Sequence, residues 1–141
     1  MKILLAADGS EYTKRAAVHL VKHIGWFARR PEIHLLHVRP KLPFPGAAAF
    51  AGRKAIDKYE REEAEAALKV AARILDKASI AHEAAWKVGD VAPEIAAYCR
   101  KNGIDLVVMG SHGHGALSNL ALGSVATKIL ATVKVPVLVV R

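Results

Sequence analysis

Apolar positions in this chain come in two rhythms that take turns. Ile3 to Ala7 is a short unbroken apolar run closed by Asp8-Gly9-Ser10, the pattern of a strand buried on both faces. Ser10 is placed to cap a helix in which Ala16, Ala17, Leu20, Val21 and Ile24 recur at helical spacing, with Gly25 as its stop. Ile33 to Val38 is a second strand. Arg39-Pro-Lys-Leu-Pro-Phe-Pro-Gly46 then places three prolines where neither sheet nor helix accepts them, so a loop follows, expected to move until a ligand orders it. Lys54 to Ala78 reads as a long amphipathic helix, with Ile56, Tyr59, Ala67, Leu68, Ala71, Leu75 and Ala78 on one face and Glu60 to Glu65 turned mostly outward. Ala81 to Val88 is a strand interrupted by His82 and Glu83. Asp90 and Pro93 open a helix that ends near Asn102-Gly103. Asp105 to Met109 is a strand, Val125 to Thr132 a helix and Val137 to Val140 the last strand.

Five strands separated by four helices imply right-handed parallel crossovers and one doubly wound α/β sheet with helices on both faces, a Rossmann-like arrangement. The 141 residues, 52% of them hydrophobic, suit a single domain over 1–141. No segment has the length and apolarity of a membrane span, so no membrane partner is expected. Cys99 is the only cysteine; it reads as a small core residue, and a cytoplasmic location is expected. The net charge of +8 would attract polyanions. Yet the basic residues are scattered and none of the eight aromatics interleaves with them, so no specific nucleic-acid partner is expected.

Ligands of doubly wound sheets bind beyond the carboxyl ends of the strands. Two such ends carry unusual residues, Ala7-Asp8-Gly9-Ser10 and Met109-Gly110-Ser111-His112-Gly113-His114-Gly115. The second set, joined to a helix start at Gly123-Ser124, can turn backbone amides toward one point and so cradle a phosphate. It lacks the Gly-Lys-Ser/Thr ending of a Walker loop, and it follows the wrong strand for the dinucleotide fingerprint. A turn that merely ends a strand would look the same. The loop histidines have no cysteine or third ligand nearby and are not read as metal ligands.

Gly110-x2-Gly113-x9-Gly123-Ser124 resembles the ATP-binding loop of universal stress proteins. Lys2-Ile-Leu-Leu-Ala-Ala-Asp-Gly-Ser10, Val88-Gly-Asp-Val-Ala-Pro-Glu-Ile95 and Val135-Pro-Val-Leu-Val-Val-Arg141 are similar to other parts of that family. The one departure in the loop is Ala116, where a second glycine is common. The resemblance implies strand order 3-2-1-4-5 and ATP, with or without Mg2+, as the ligand. It implies that Ala6, Asp8 and Val38 hold the adenosine end, that Met109, Gly110, His112 and Gly113 line the ribose and phosphate passage, and that Gly123, Ser124 and Val125 meet the phosphates. It also implies a homodimer through Val137–Val140 at the sheet edge, and an unknown downstream protein is expected to read nucleotide occupancy. No catalytic residue is assigned, because glycine amides hold a triphosphate without breaking it. The expected function is a nucleotide-occupied sensor or adaptor in the stress response. The competing reading is a slow ATPase or a phosphoryl or adenylyl transferase acting on an acidic substrate.

Overall fold

The β-branched and leucine-rich run Lys2–Ala6 forms strand β1, whose central residues Ile3, Leu4 and Leu5 are fully buried. The computed structural model describes residues 1–41, 52–115 and 122–141; the proline-rich loop lies largely outside them, as does Ala116. Helix α1 (Glu11–Lys22) starts at Ser10, whose hydroxyl accepts from the Thr13 amide. It ends before Gly25, because the chain tightens into a short 3-10 turn over Ile24–Trp26. Strand β2 (Glu32–Arg39), helix α2 (Arg53–Lys77), strand β3 (His82–Val88), helix α3 (Val91–Asn102), strand β4 (Leu106–Gly110), helix α4 (Ser124–Thr132) and strand β5 (Val137–Val140) complete the order. Each predicted element is present, its ends displaced by a residue or so.

All four strand pairings are parallel and the order is β3-β2-β1-β4-β5. Leu5 pairs with Leu35 on one side and Val108 on the other. Two cores follow from the pleat. Ile3, Leu5, Ile33, Leu35 and Val108 pack under α1 and α2, while Leu4, Leu36, Val107 and Met109 pack under α3 and α4. Cys99 is buried in the second core, and burial pushes its thiol up, away from nucleophilic use. Among the described residues no helix is long and apolar enough to cross a membrane.

Two expectations are corrected. Tyr59 is exposed and Ile56 only half-buried, because the first turns of α2 run past the end of the sheet; burial is confined to Ala64, Ala67, Leu68, Ala71 and Leu75. Glu60 and Glu63 do not simply face solvent. They flank the buried guanidinium of Arg39, with Nε 3.0 Å from Glu63 and Nη1 3.6 Å from Glu60. The polar residues that made β3 look doubtful belong to an edge strand, which needs only partial burial.

Candidate functional site

Crossovers from β1 and from β4 leave for opposite faces, so their carboxyl ends diverge and leave a crevice. A cavity of about 1000 Å³ occupies it, large enough for a nucleotide-sized ligand. Ala6, Asp8, Val38, Met109, Gly110, His112, Gly113, Gly123, Ser124 and Val125 all line this one space. Residues separated by more than a hundred positions in sequence are thus brought together by the sheet order.

The glycine-rich loop is tied to the scaffold through its backbone. The Ser111 amide donates to the Val140 carbonyl at 2.8 Å, and the Gly123 amide donates to the Ser111 carbonyl at 2.8 Å. The start of α4 is thereby brought back to the end of β4. No side chain caps α4, whose N-cap is Gly123. Among the described residues, the first amides of α4 therefore have no side-chain acceptor at the cap, and they lie beside the cavity at the positive end of the helix dipole.

The three loop glycines differ in what surrounds them. A Cβ on Gly110 would lie 2.5 Å from Tyr12 Cβ and within 2.9 Å of the Tyr12 backbone, so glycine here lets α1 pack directly on β4. Among the described residues, a Cβ on Gly113 would meet only the Asp8 carboxylate, at 2.6 Å from Oδ2. Gly123 lies against the backbone of Ser111 and His112.

Asp8 anchors the other wall. Its Oδ1 accepts from the Ser10 amide at 2.9 Å and the Thr13 hydroxyl at 2.7 Å, while Oδ2 points toward Gly113. Burial pushes this carboxyl up, but the bonds from Ser10 and Thr13, aided by the charge of His114, outweigh it and leave the group below its ordinary value. Asp8 therefore stabilises the fold above the unfolded carboxylate value, and that contribution is lost as pH falls through the lower folded value. Asp8→Asn should flatten the loss of thermal stability below about pH 4, measured by unfolding against pH; an unchanged acid profile would contradict this role.

His114 does more than the solvated loop residue its sequence position suggests. Its Nε2 donates to the Asp8 carbonyl at 2.8 Å and joins the two lips of the cavity. His112 is hydrogen-bonded through Nδ1 to Ser111 Oγ at 2.9 Å, with its ring 5.0 Å from that of Tyr12. His37 donates from Nδ1 to the Ala7 carbonyl at 2.8 Å, and both His37 and Arg39 line the cavity. Sequence reasoning left out these two. The signal was present in the alternation of β2, which turns positions 33, 35, 37 and 39 to the same face.

Among the described residues, one cluster away from the cavity offers three metal-ligating groups, Glu32, His34 and Glu83, within 4.8 Å of one another. Its chemistry is already satisfied. His34 donates from Nε2 to Glu32 and accepts at Nδ1 from the Tyr98 hydroxyl, each at 3.0 Å, and Lys2 sits 3.3 Å from the same Glu32 oxygen.

Known proteins match this chain over its length. A universal stress protein of Methanocaldococcus jannaschii is 31% identical over 99% of this chain and 81% of its own. One from Thermus aquaticus is 34% identical over 99% and 97%. The solved structure of a hypothetical protein whose biochemical function was assigned from structure superposes with a TM-score of 0.82 at 28% identity, over 99% of this chain and 94% of that one. Three further structures share the fold at 16–18% identity and TM-scores of 0.66–0.69, covering at least 99% of this chain and 90% of theirs. One universal stress protein is in complex with cAMP, one from Arabidopsis thaliana has AMP bound, and one from Archaeoglobus fulgidus is in complex with dAMP. The universal stress protein family model matches residues 1–141. With the sheet order, the glycine-rich loop and the relatives in agreement, the chain belongs to the universal stress protein family.

Proposed function

We propose that this protein binds ATP in the cavity between β1 and β4 and acts as a nucleotide-occupied sensor or adaptor in the stress response, with little or no turnover. The observation that carries the reading is the uncapped start of α4 opening into a nucleotide-sized cavity beside a glycine-rich loop. Amides there suit phosphate oxygens, and the Ser124 hydroxyl adds one more donor. Asp8, Ala6 and Val38 hold the adenosine end, where Asp8 Oδ2 offers an acceptor to a hydroxyl or amine. Relatives of the same fold that carry AMP, dAMP or cAMP support a nucleotide as the class of ligand. Mg2+ that accompanies ATP is carried on the phosphate oxygens.

Little turnover follows from where the carboxylates are. Among the described lining residues only Asp8 and Glu63 carry one: Asp8 is held through Oδ1 by Ser10 and Thr13 with its Oδ2 given in this reading to the adenosine end, and Glu63 is paired with Arg39. Neither is spare to position an attacking water. Steady-state ADP release from contaminant-free protein should stay below one turnover per minute, well under ordinary enzyme rates of about 1 to 1000 per second. Sustained release at enzyme-like rates would favour the ATPase or transferase reading instead.

The downstream partner in this reading is a protein that meets a homodimer paired through β5. Leu138 is 37% exposed on that edge strand, whereas Val137 and Val139 pack inward on the second core. Leu138→Lys is therefore the substitution that disturbs pairing without disturbing the core. Sedimentation should show a dimer at micromolar concentration and a shift toward monomer in this variant; a dimer that survives it would remove β5 from the interface.

A further inference from the structure

At the far end of α1 from its cap, three rings cluster, tilted against one another. His19 and His23 lie four positions apart and hence on one helical face, with ring centroids 4.2 Å apart. His23 is 4.0 Å from the Trp26 ring, and His19 meets Trp26 edge-on at 6.1 Å. Trp26 is 73% exposed, which is unusual for so large an apolar side chain.

The hydrogen bonding leaves lone pairs unused. His23 Nδ1 lies 2.8 Å from the His19 carbonyl oxygen, which can only accept, so the proton is on Nδ1 and the lone pair on Nε2. Among the described residues, neither ring nitrogen of His19 makes a hydrogen bond. A histidine whose second nitrogen donates to a backbone carbonyl is arranged as metal-ligating histidines are.

We propose that His19 and His23 form a two-imidazole site for a late first-row divalent cation, with Cu2+ favoured over Ni2+ and Zn2+. Imidazole suits these ions, and affinities of nitrogen sites rise toward copper. The negative end of the α1 dipole lies here and adds attraction for a cation. No carboxylate belongs to the pair, and Lys22 stands in the same last turn, so the hard ions Mg2+ and Ca2+, which need oxygen ligands, are excluded. Two protein ligands leave the remaining coordination positions to water, which makes the site exchangeable and open to a further ligand. The Glu32, His34 and Glu83 cluster has no comparable free nitrogen.

Trp26 supplies the readout, since a paramagnetic ion held on His23 quenches the indole packed against it. Nucleotide-free protein titrated with Cu2+ or Ni2+ in a non-chelating buffer should show saturable one-to-one quenching of tryptophan fluorescence. His19→Gln or His23→Gln should weaken it at least about 10-fold, the scale on which lost support of a metal site is felt. The double variant should lose it, with the helical circular dichroism unchanged because both side chains are only half-buried and sit at the very end of α1. Mg2+ and Ca2+ should leave the fluorescence unmoved. Trp26→Phe should keep one-to-one Cu2+ binding by calorimetry while losing most of the quenching. Equal Cu2+ affinity and stoichiometry in the folded double variant would overturn the site, as would quenching by Mg2+ of the same size.

Discussion

Gly113→Val is expected to weaken ATP binding at least about 100-fold, near 3 kcal/mol, while the protein stays folded. The reason lies in what the new side chain would meet. Among the described residues its Cβ contacts only the tip of the Asp8 carboxylate, and the branched methyls would extend into the passage between the two lips of the cavity. The Asp8 side chain can turn aside at small cost, because its structural bonds are made through Oδ1. A ligand has no such freedom, since it must pass close to backbone. Circular dichroism and Tm close to those of the unmodified protein, together with lost binding by calorimetry, is the expected pair of results. Unchanged affinity in the folded variant would move the ligand out of this loop.

Gly110→Ala is expected to do the opposite, damaging the fold before the site. A single added carbon would lie 2.5 Å from Tyr12 Cβ and 2.8 Å from the Tyr12 carbonyl carbon, in the first turn of α1. Backbone cannot swing aside as a carboxylate tip can, so α1 must lift from β4. The expected cost is about 3 kcal/mol, the upper end for overpacking, which at this chain length lowers Tm by about 10 °C. Thermal unfolding measures it directly. A variant as stable as the unmodified protein would show that the contact between α1 and β4 is slack.

These two glycines show what could and could not be read from residues alone. Spacing along the chain picks out Gly110, Gly113 and Gly123 together, and the structure brings all three to one cavity. It does not distinguish a glycine needed by a neighbouring helix from one needed by a ligand, because Tyr12 and Asp8 are about a hundred residues away. The unalternating runs of β1 and β4 were legible because central parallel strands are buried on both faces. The α2 face was only half legible. Its helical period continues through Tyr59, but the sheet it packs on has ended there. Arg39 and His37 were passed over because a charged residue and a histidine on a strand have no local mark of where they point; the partners, Glu60, Glu63 and the Ala7 carbonyl, come from other elements. His114 was read as loop for the same reason, its partner being the Asp8 carbonyl.

Binding at the crevice is the claim on which the sensor reading and the loop variants both depend. Calorimetric titration of nucleotide-stripped protein with ATP tests it most directly. One ATP per chain is expected, with a heat of binding that disappears in Gly113→Val. A folded protein that takes up no ATP at millimolar concentration, or that binds it equally well with valine at position 113, would contradict it.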